Sequence, residues 1–163
     1  MQNRLTRAVS ALAVRPGDTI LEIGCGNGGA VSLVCERLDG GKILAIDRSA
    51  QMIALAKQRN ADSIASGKAA FRTIDLIALS VSDRFDKIFA VNVNTFWRRP
   101  VPRELELIKK LLRPKGVLHV FFESPEPRAQ ELARRVVAAL EPSGLKSTVK
   151  HEDGILLNIK AHL

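Results

Sequence analysis

Five short runs rich in apolar and β-branched residues alternate along this chain with stretches of helical period. No other feature of its 163 residues constrains the fold as strongly. The runs are Thr19 to Ile23, Lys42 to Ile46, Ala69 to Ile74, Asp86 to Val91 and Val117 to Phe122. Strands joined by helical crossovers must lie parallel, with right-handed connections and helices covering both faces of the sheet. The intervening helical stretches cover about Gly29 to Leu38, a segment capped by Ser49, a segment entered at Pro102, and Arg128 to Leu140. In the second of these, Met52, Leu55, Ala56 and Arg59 are expected to share a face. After Pro102 the charges follow the helix dipole, with Glu104 and Glu106 early and Lys109, Lys110 and Arg113 late. Pro114-Lys115-Gly116 predicts the turn into the fifth run. The end of the chain differs: Leu145 to His151 and Ile155 to Ala161 flank Glu152-Asp153-Gly154, a hairpin signal that adds an antiparallel element.

Length and composition narrow the class. A chain of 163 residues is one domain, and it buries roughly 70% of the surface its unfolded form exposes, so its core needs no disulfides. A 46% hydrophobic share excludes disorder, and 11 glycines with 7 prolines exclude a collagen-like or linker composition. No apolar run approaches the ~18 residues of a membrane span, and Val117 to Phe122 is itself interrupted by His119, which reads as a core histidine. Cys25 and Cys35 form no CxxC pair and have no neighbouring histidine, which argues against a metal site and a disulfide framework and suits a reducing cytoplasm. Arg4 and Arg7 precede a short apolar stretch, but a signal peptide cleaved after Ala13 would have too small an apolar region. Leu5, Ala8, Val9 and Leu12 instead predict a short amphipathic helix, and the expected location is cytoplasmic. The balance of 25 Lys+Arg against 17 Asp+Glu, a net charge of +8, favours acidic partners, nucleic acid among them. The densest stretch, Trp97 to Lys115, carries seven basic and two acidic residues, and such dispersed charge is equally the mark of a solvated surface.

Ligands of open α/β sheets bind beyond the carboxyl ends of the strands, at the point where strand order reverses. Glu22 to Gly29, Asp47, Asp75, Asn92 to Trp97 and Glu123 all fall at such ends. Gly24, Gly26 and Gly29 satisfy GxGxxG, and Asp47 follows Gly24 by 23 residues, where a carboxylate can accept both ribose hydroxyl protons. That much fits NAD or any adenosine ligand. Glu22 narrows it, because a carboxylate before the glycine turn suits an ammonium group better than a pyrophosphate. Asp75 can accept a hydrogen bond from an adenine amino group. Together these residues describe a pocket for adenosine carrying a cationic amino-acid tail.

Here the sequence resembles the class I S-adenosylmethionine-dependent methyltransferases, over roughly Val14 to Leu163. Leu-Glu-Ile-Gly-Cys-Gly-Asn-Gly at 21–28 is similar to the family's first motif, and Ala-Ile-Asp at 45–47 to its second. Phe85-Asp86-Lys87-Ile88 resembles the start of its fourth strand, and Leu111 to Gly116 the approach to its fifth. The resemblance implies a single-domain, Rossmann-like, seven-stranded sheet: five parallel strands plus the antiparallel hairpin, with helices on both faces. It implies one methyltransferase domain over residues 1–163, with 1–13 as a helix and candidate lid and 14–163 as the catalytic core. Glu22 would orient the methionine end of the cofactor, lined by Gly24, Gly26 and Gly28 with Cys25 filling the turn. Asp47 would hold the ribose, Arg48 and Met52 border the adenosine, Asp75 and Leu76 flank the adenine, and Asn92 meet the amino-acid tail.

The departures from the family bear on the acceptor. After the fourth strand there is no Asn-Pro-Pro-Tyr or Asp-Pro-Pro-Tyr run of amino-directed nucleic-acid methyltransferases, and no cysteine nucleophile for 5-methylcytosine formation. The chain reads Asn92-Val93-Asn94-Thr95-Phe96-Trp97 instead. Asn94, Phe96 and Trp97 are candidates to shape an acceptor pocket, although the two aromatics could equally pack under the next helix; Glu123 is a further candidate to face substrate. No residue is singled out as catalytic, since transfer from a sulfonium can rest on in-line positioning and water exclusion. The expected function is S-adenosylmethionine-dependent methylation of a small-molecule acceptor, releasing S-adenosylhomocysteine. RNA or protein methylation and non-catalytic cofactor binding remain alternatives. An NAD-dependent oxidoreductase is disfavoured by Glu22, the hairpin and the lack of a catalytic domain. Oligomeric state is not legible.

Overall fold

The computed structural model describes residues 3–152 and 155–163. Seven strands form one sheet: β1 (Thr19–Ile23), β2 (Lys42–Asp47), β3 (Ala69–Thr73), β4 (Phe85–Val91), β5 (Leu112–Glu123), β6 (Lys146–His151) and β7 (Leu156–His162). Their spatial order is β3-β2-β1-β4-β5-β7-β6. The first five run parallel, and β7 is antiparallel to both β5 and β6. This is the expected arrangement of five parallel strands and a terminal hairpin. The Asp153-Gly154 part of the predicted hairpin turn lies outside the described residues.

Two cores follow from the period of two along each strand. On one face Ile20, Ile43, Phe89 and Phe121 meet α1 (Arg4–Ala11), α2 (Gly29–Cys35) and α3 (Ala50–Arg59). On the other, Leu21, Ile88, Leu118 and Val120 meet α6 (Pro102–Leu111) and α7 (Arg128–Leu140). Every residue of β1 is buried, as expected of a central parallel strand covered on both sides. The apolar stripe of α7 is Ala129, Leu132, Ala133, Val136 and Leu140, spaced by three, one, three and four residues. In α1, Ala8 and Val9 are buried and Asn3 caps the first turn by accepting the Thr6 N–H at 2.9 Å.

Several local expectations are corrected. The buried side of α3 is Ile53 and Ala56, whereas Leu55 is 44% exposed and Met52 half-buried, so Met52, Leu55, Ala56 and Arg59 do not form one packed face. The face that docks turns on Ile53, Ala56 and Asn60, which recur at three and four residues. Asn60 ends α3 and a separate short helix, α4 (Ala61–Ala65), follows. Arg113 is not in the last turn of a helix: α6 stops at Leu111, and β5 already pairs at Leu112 with Phe85. Residues 113–116 then bulge out, with Lys115 at φ 65°, before pairing resumes between Val117 and Lys87. Arg113 and the Thr19 N–H both bond the Asp86 carboxylate, at 2.7 and 2.8 Å. A further short helix, α5 (Thr95–Arg98), occupies the segment read as a strand-end loop.

Candidate active site

Strand order reverses between β1 and β4, because β1 leads outward to β2 on one side while β4 leads to β5 on the other. A cavity of about 270 Å³ opens beyond the carboxyl ends at that point. Gly24, Asp47, Arg48, Asp75, Leu76, Asn92, Asn94 and Phe96, predicted from four separate stretches of sequence, all line it. Sequence reasoning missed Val93, Arg99 and Glu104, which line it too. The last two form an ion pair at 2.7 Å across the cavity's outer wall, and nothing in a helix-dipole reading of Glu104 foretold that partner.

The glycine turn owes its shape to two contacts. Gly24 has φ +71°, and a Cβ there would lie 2.5 Å from Val93 Cγ2, so only glycine lets the β1 and β4 ends converge. Its N–H and that of Cys25 both donate to the Ile46 carbonyl, at 2.8 and 3.0 Å, extending the pairing with β2 into the turn. Asp47 then fixes the turn from the side. One carboxylate oxygen accepts the Gly26 N–H and the other the Ser49 N–H, each at 2.9 Å, and each oxygen retains acceptor capacity for a ligand hydroxyl. Ser49 caps α3 by accepting the Met52 N–H at 3.2 Å.

Glu22 lies beneath this turn, 2% exposed, with its Oε2 without a partner among the described residues. Burial, and secondarily the charge of Asp47, pushes its pKa well above the usual carboxylate range. A protonated acid here is one that a cationic group could ionise. The space a Cβ would take at Gly26 is open. Buried carboxyl, open turn and the Asp47 carboxylate fit an adenosine ligand with a cationic tail.

Other predicted residues are placed differently. Gly28 caps α2 from just before its first turn, at φ +77°, and packs against Ala56 and Asn60, away from the cavity walls. Asn60, unremarked in the sequence, donates to the Gly28 and Ala56 carbonyls at 3.1 and 2.9 Å and accepts from Ser32 Oγ at 2.8 Å, latching the turn to α3. Cys25 is buried in the α1–α3 core, where burial raises its thiol pKa, and neither it nor Met52 lines the cavity. Asn92 takes φ 56°, a conformation asparagine tolerates, and its Oδ1 accepts the Glu123 N–H at 3.0 Å. Glu123 pairs with Arg7 of α1 at 2.6 Å, so it ties the N-terminal helix to the end of β5. Trp97 faces away from this cavity and packs against Phe122, ring centroids 5.5 Å apart at 53°. His119 is 3% exposed, with Nδ1 3.1 Å from Asn158 Oδ1, and burial lowers its pKa to about 4. Among the described residues no cluster of three or more His, Cys, Asp or Glu could hold a metal ion, and no helix is long and apolar enough to cross a membrane.

The family described as "Methyltransferase domain" matches residues 20–116, more than half of the chain and the whole segment that builds the cavity. The chain belongs to this methyltransferase family. A malonyl-[acyl-carrier protein] O-methyltransferase of Bacillus cytotoxicus is 33% identical over 144 residues, covering 88% of this chain and 47% of that protein. A ubiquinone biosynthesis O-methyltransferase of Xanthomonas campestris is 28% identical over 142 residues, covering 83% of this chain and 57% of that protein. The methyltransferase chain thus spans about half the length of the curated relatives it matches. Among solved structures, a SAM-dependent methyltransferase from Aquifex aeolicus shares the fold with a TM-score of 0.79 at 18% identity, covering 97% of this chain and 88% of that one. The sheet is the class I S-adenosylmethionine-dependent methyltransferase fold.

Proposed function

We propose that this methyltransferase domain binds S-adenosylmethionine in the cavity beyond β1, β2 and β4 and directs its methyl group to a small-molecule acceptor. One observation carries the reading: the topology gathers Gly24, Asp47, Asp75 and Asn92 around a single cavity, while Glu22, two residues before Gly24 and not itself in the lining, is buried with its Oε2 unpartnered among the described residues. When bound, the cofactor supplies a methyl group on a sulfonium sulfur already activated for displacement. Asp47, held by the Gly26 and Ser49 amides, has acceptor capacity left for the two ribose hydroxyls. Asp75 would accept from the adenine amino group, with Leu76 flanking the adenine and Arg48 bordering the adenosine. Glu22, whose pKa burial raises, would release its proton to water on ionising and its carboxylate would then balance the charge of an ammonium group. Phe96, buried at the cavity's edge, excludes water from the transfer.

The small-molecule acceptor is supported by the names of the relatives, which include a trans-aconitate 2-methyltransferase of Variovorax paradoxus. It is supported too by the absence of the nucleic-acid signatures after β4. Calorimetry with S-adenosylhomocysteine and NAD, followed by transfer of labelled methyl into metabolite, RNA and protein fractions, tests it. Binding of the adenosyl ligand and label in the metabolite fraction are expected. Tight NAD binding with no adenosyl ligand bound would refute the cofactor, and label in RNA that falls steeply with salt would refute the acceptor class.

A further inference from the structure

A second and larger cavity, of about 570 Å³, lies between α5, α6 and the C-terminal half of α7. Its floor is Phe96, Val101 and Leu105, each at most 2% exposed. One wall is Trp97, and the other is Ala138 and Ala139 of α7, whose small side chains leave the space open. A cavity of this size and apolar lining accepts a ligand of drug-like bulk.

The charges at its rim say what such a ligand carries. Glu106, the acid on the rim, pairs with Lys109 at 3.2 Å. Arg99 is matched by Glu104 at 2.7 Å and Arg135 by Glu131 at 2.5 Å. Arg98 is exposed at the rim and enters no ion pair among the described residues, so it leaves one unmatched positive charge beside an apolar hollow. We propose that this cavity binds an amphipathic carboxylate, its chain or ring against Trp97 and the α7 alanines and its acid group on Arg98. Occupancy requires nothing of the neighbouring crevice, which lies behind the wall made by Phe96 and Arg99.

Trp97 is the chain's single tryptophan, so its fluorescence reads this cavity directly. Octanoate, 1-octanol and octylamine are titrated against the wild-type chain, Arg98→Ala and Ala138→Leu, with S-adenosylhomocysteine calorimetry and sedimentation on the same samples. Octanoate should give a saturable change and bind about tenfold or more tighter than octanol, with octylamine weakest. Arg98→Ala should weaken octanoate by about tenfold or more and leave octanol unchanged, since only the charged hydrogen bond is removed. Ala138→Leu, at an exposed helix position, should fill the cavity and abolish both signals with the melting temperature held. Equal binding of octanoate and octanol, no effect of Arg98→Ala, or no saturable change would overturn the proposal. So would a Trp97 signal that follows protein concentration and self-association instead of octanoate, which would seat a second copy in the groove. Octanoate binding without S-adenosylhomocysteine binding would strike only the nucleoside reading of the first cavity.

Discussion

The two cavities share a wall and little else. The smaller one is built mainly by strand ends, and most of its polar groups lie at or just beyond the carboxyl ends of β2, β3 and β4, with Arg99 and Glu104 added from the α5–α6 segment. The larger one is built by helix surfaces, and its walls are apolar side chains of α5, α6 and α7. A strand end is fixed by backbone pairing: β1 and β2 stay in register from Thr19↔Lys42 to Ile23↔Ile46, so Gly24 and Asp47 must emerge side by side. A groove between helices depends instead on how side chains of unlike size meet, and Ala138 and Ala139 matter there for what they leave empty. Polar recognition is therefore set by topology in this molecule, and apolar volume by packing.

The largest effect that sharpens this contrast is expected at Asp47. Replacing it with Ala removes the proposed acceptor for two ribose hydroxyls and also frees the Gly26 and Ser49 amides that it holds. Charged hydrogen bonds contribute about 1.5–3 kcal/mol each, so the loss of two should lower S-adenosylhomocysteine affinity by about a hundredfold or more in calorimetry. The octanoate response of Trp97 should stay at its wild-type level. Equal loss at both sites would show that the cavities act as one, and the contrast would break.

Trp97→Ala should act on the other side of the wall. The indole is half-buried and leans on Phe122, so its loss should cost about 2 kcal/mol of folding stability, less than for a fully buried tryptophan. Thermal melts should register that loss while cofactor affinity stays near wild type. A large fall in cofactor affinity with an unchanged melting temperature would place Trp97 in the first cavity after all.

The same contrast explains what could be read from sequence. Asp47, Asp75 and Asn92 were legible because each is the polar residue that stops an apolar run, and strands of one parallel sheet stop on one side. Five parallel strands and an antiparallel terminal hairpin were legible from alternation and the hairpin signal, whereas the spatial order of the strands is set by contacts that no local pattern carries. Trp97 was not resolved between pocket and core, because its neighbour in sequence, Phe96, touches both cavities while Trp97 touches one. Asn60 left no signal: a polar residue at a helix end reads as a terminator, yet its three hydrogen bonds hold the glycine turn against α3. The bulge at 113–116 was read as a simple turn, since proline and glycine mark a break in pairing without saying that the strand had already begun at Leu112. Local pattern gives where an element stops, and contact across the fold decides what its neighbours then do.

The smallest effect is expected at Glu22, where the two ways of handling a buried polar group meet. His119 is buried with Asn158 beside it, whereas Glu22 Oε2 has no partner among the described residues. Because burial, then Asp47, raises the Glu22 pKa, the folded chain holds its proton more tightly than the unfolded chain does. Stability from this group is thus fully present below the unfolded carboxylate pKa of about 4.3, and it is lost as pH climbs toward and through the raised folded value. Glu22→Gln keeps the size and polarity of the protonated side chain and cannot titrate. Wild type and variant should therefore melt together near pH 4, with the variant gaining an advantage at pH 6 and a larger one at pH 8. On the proposed cofactor reading the variant also loses the charge that balances an ammonium group, so it should bind S-adenosylhomocysteine more weakly while folding more stably. Melting curves that stay parallel at all three pH values would mean that Glu22 is ionised in the fold, and a variant binding as tightly as wild type would remove Glu22 from the site.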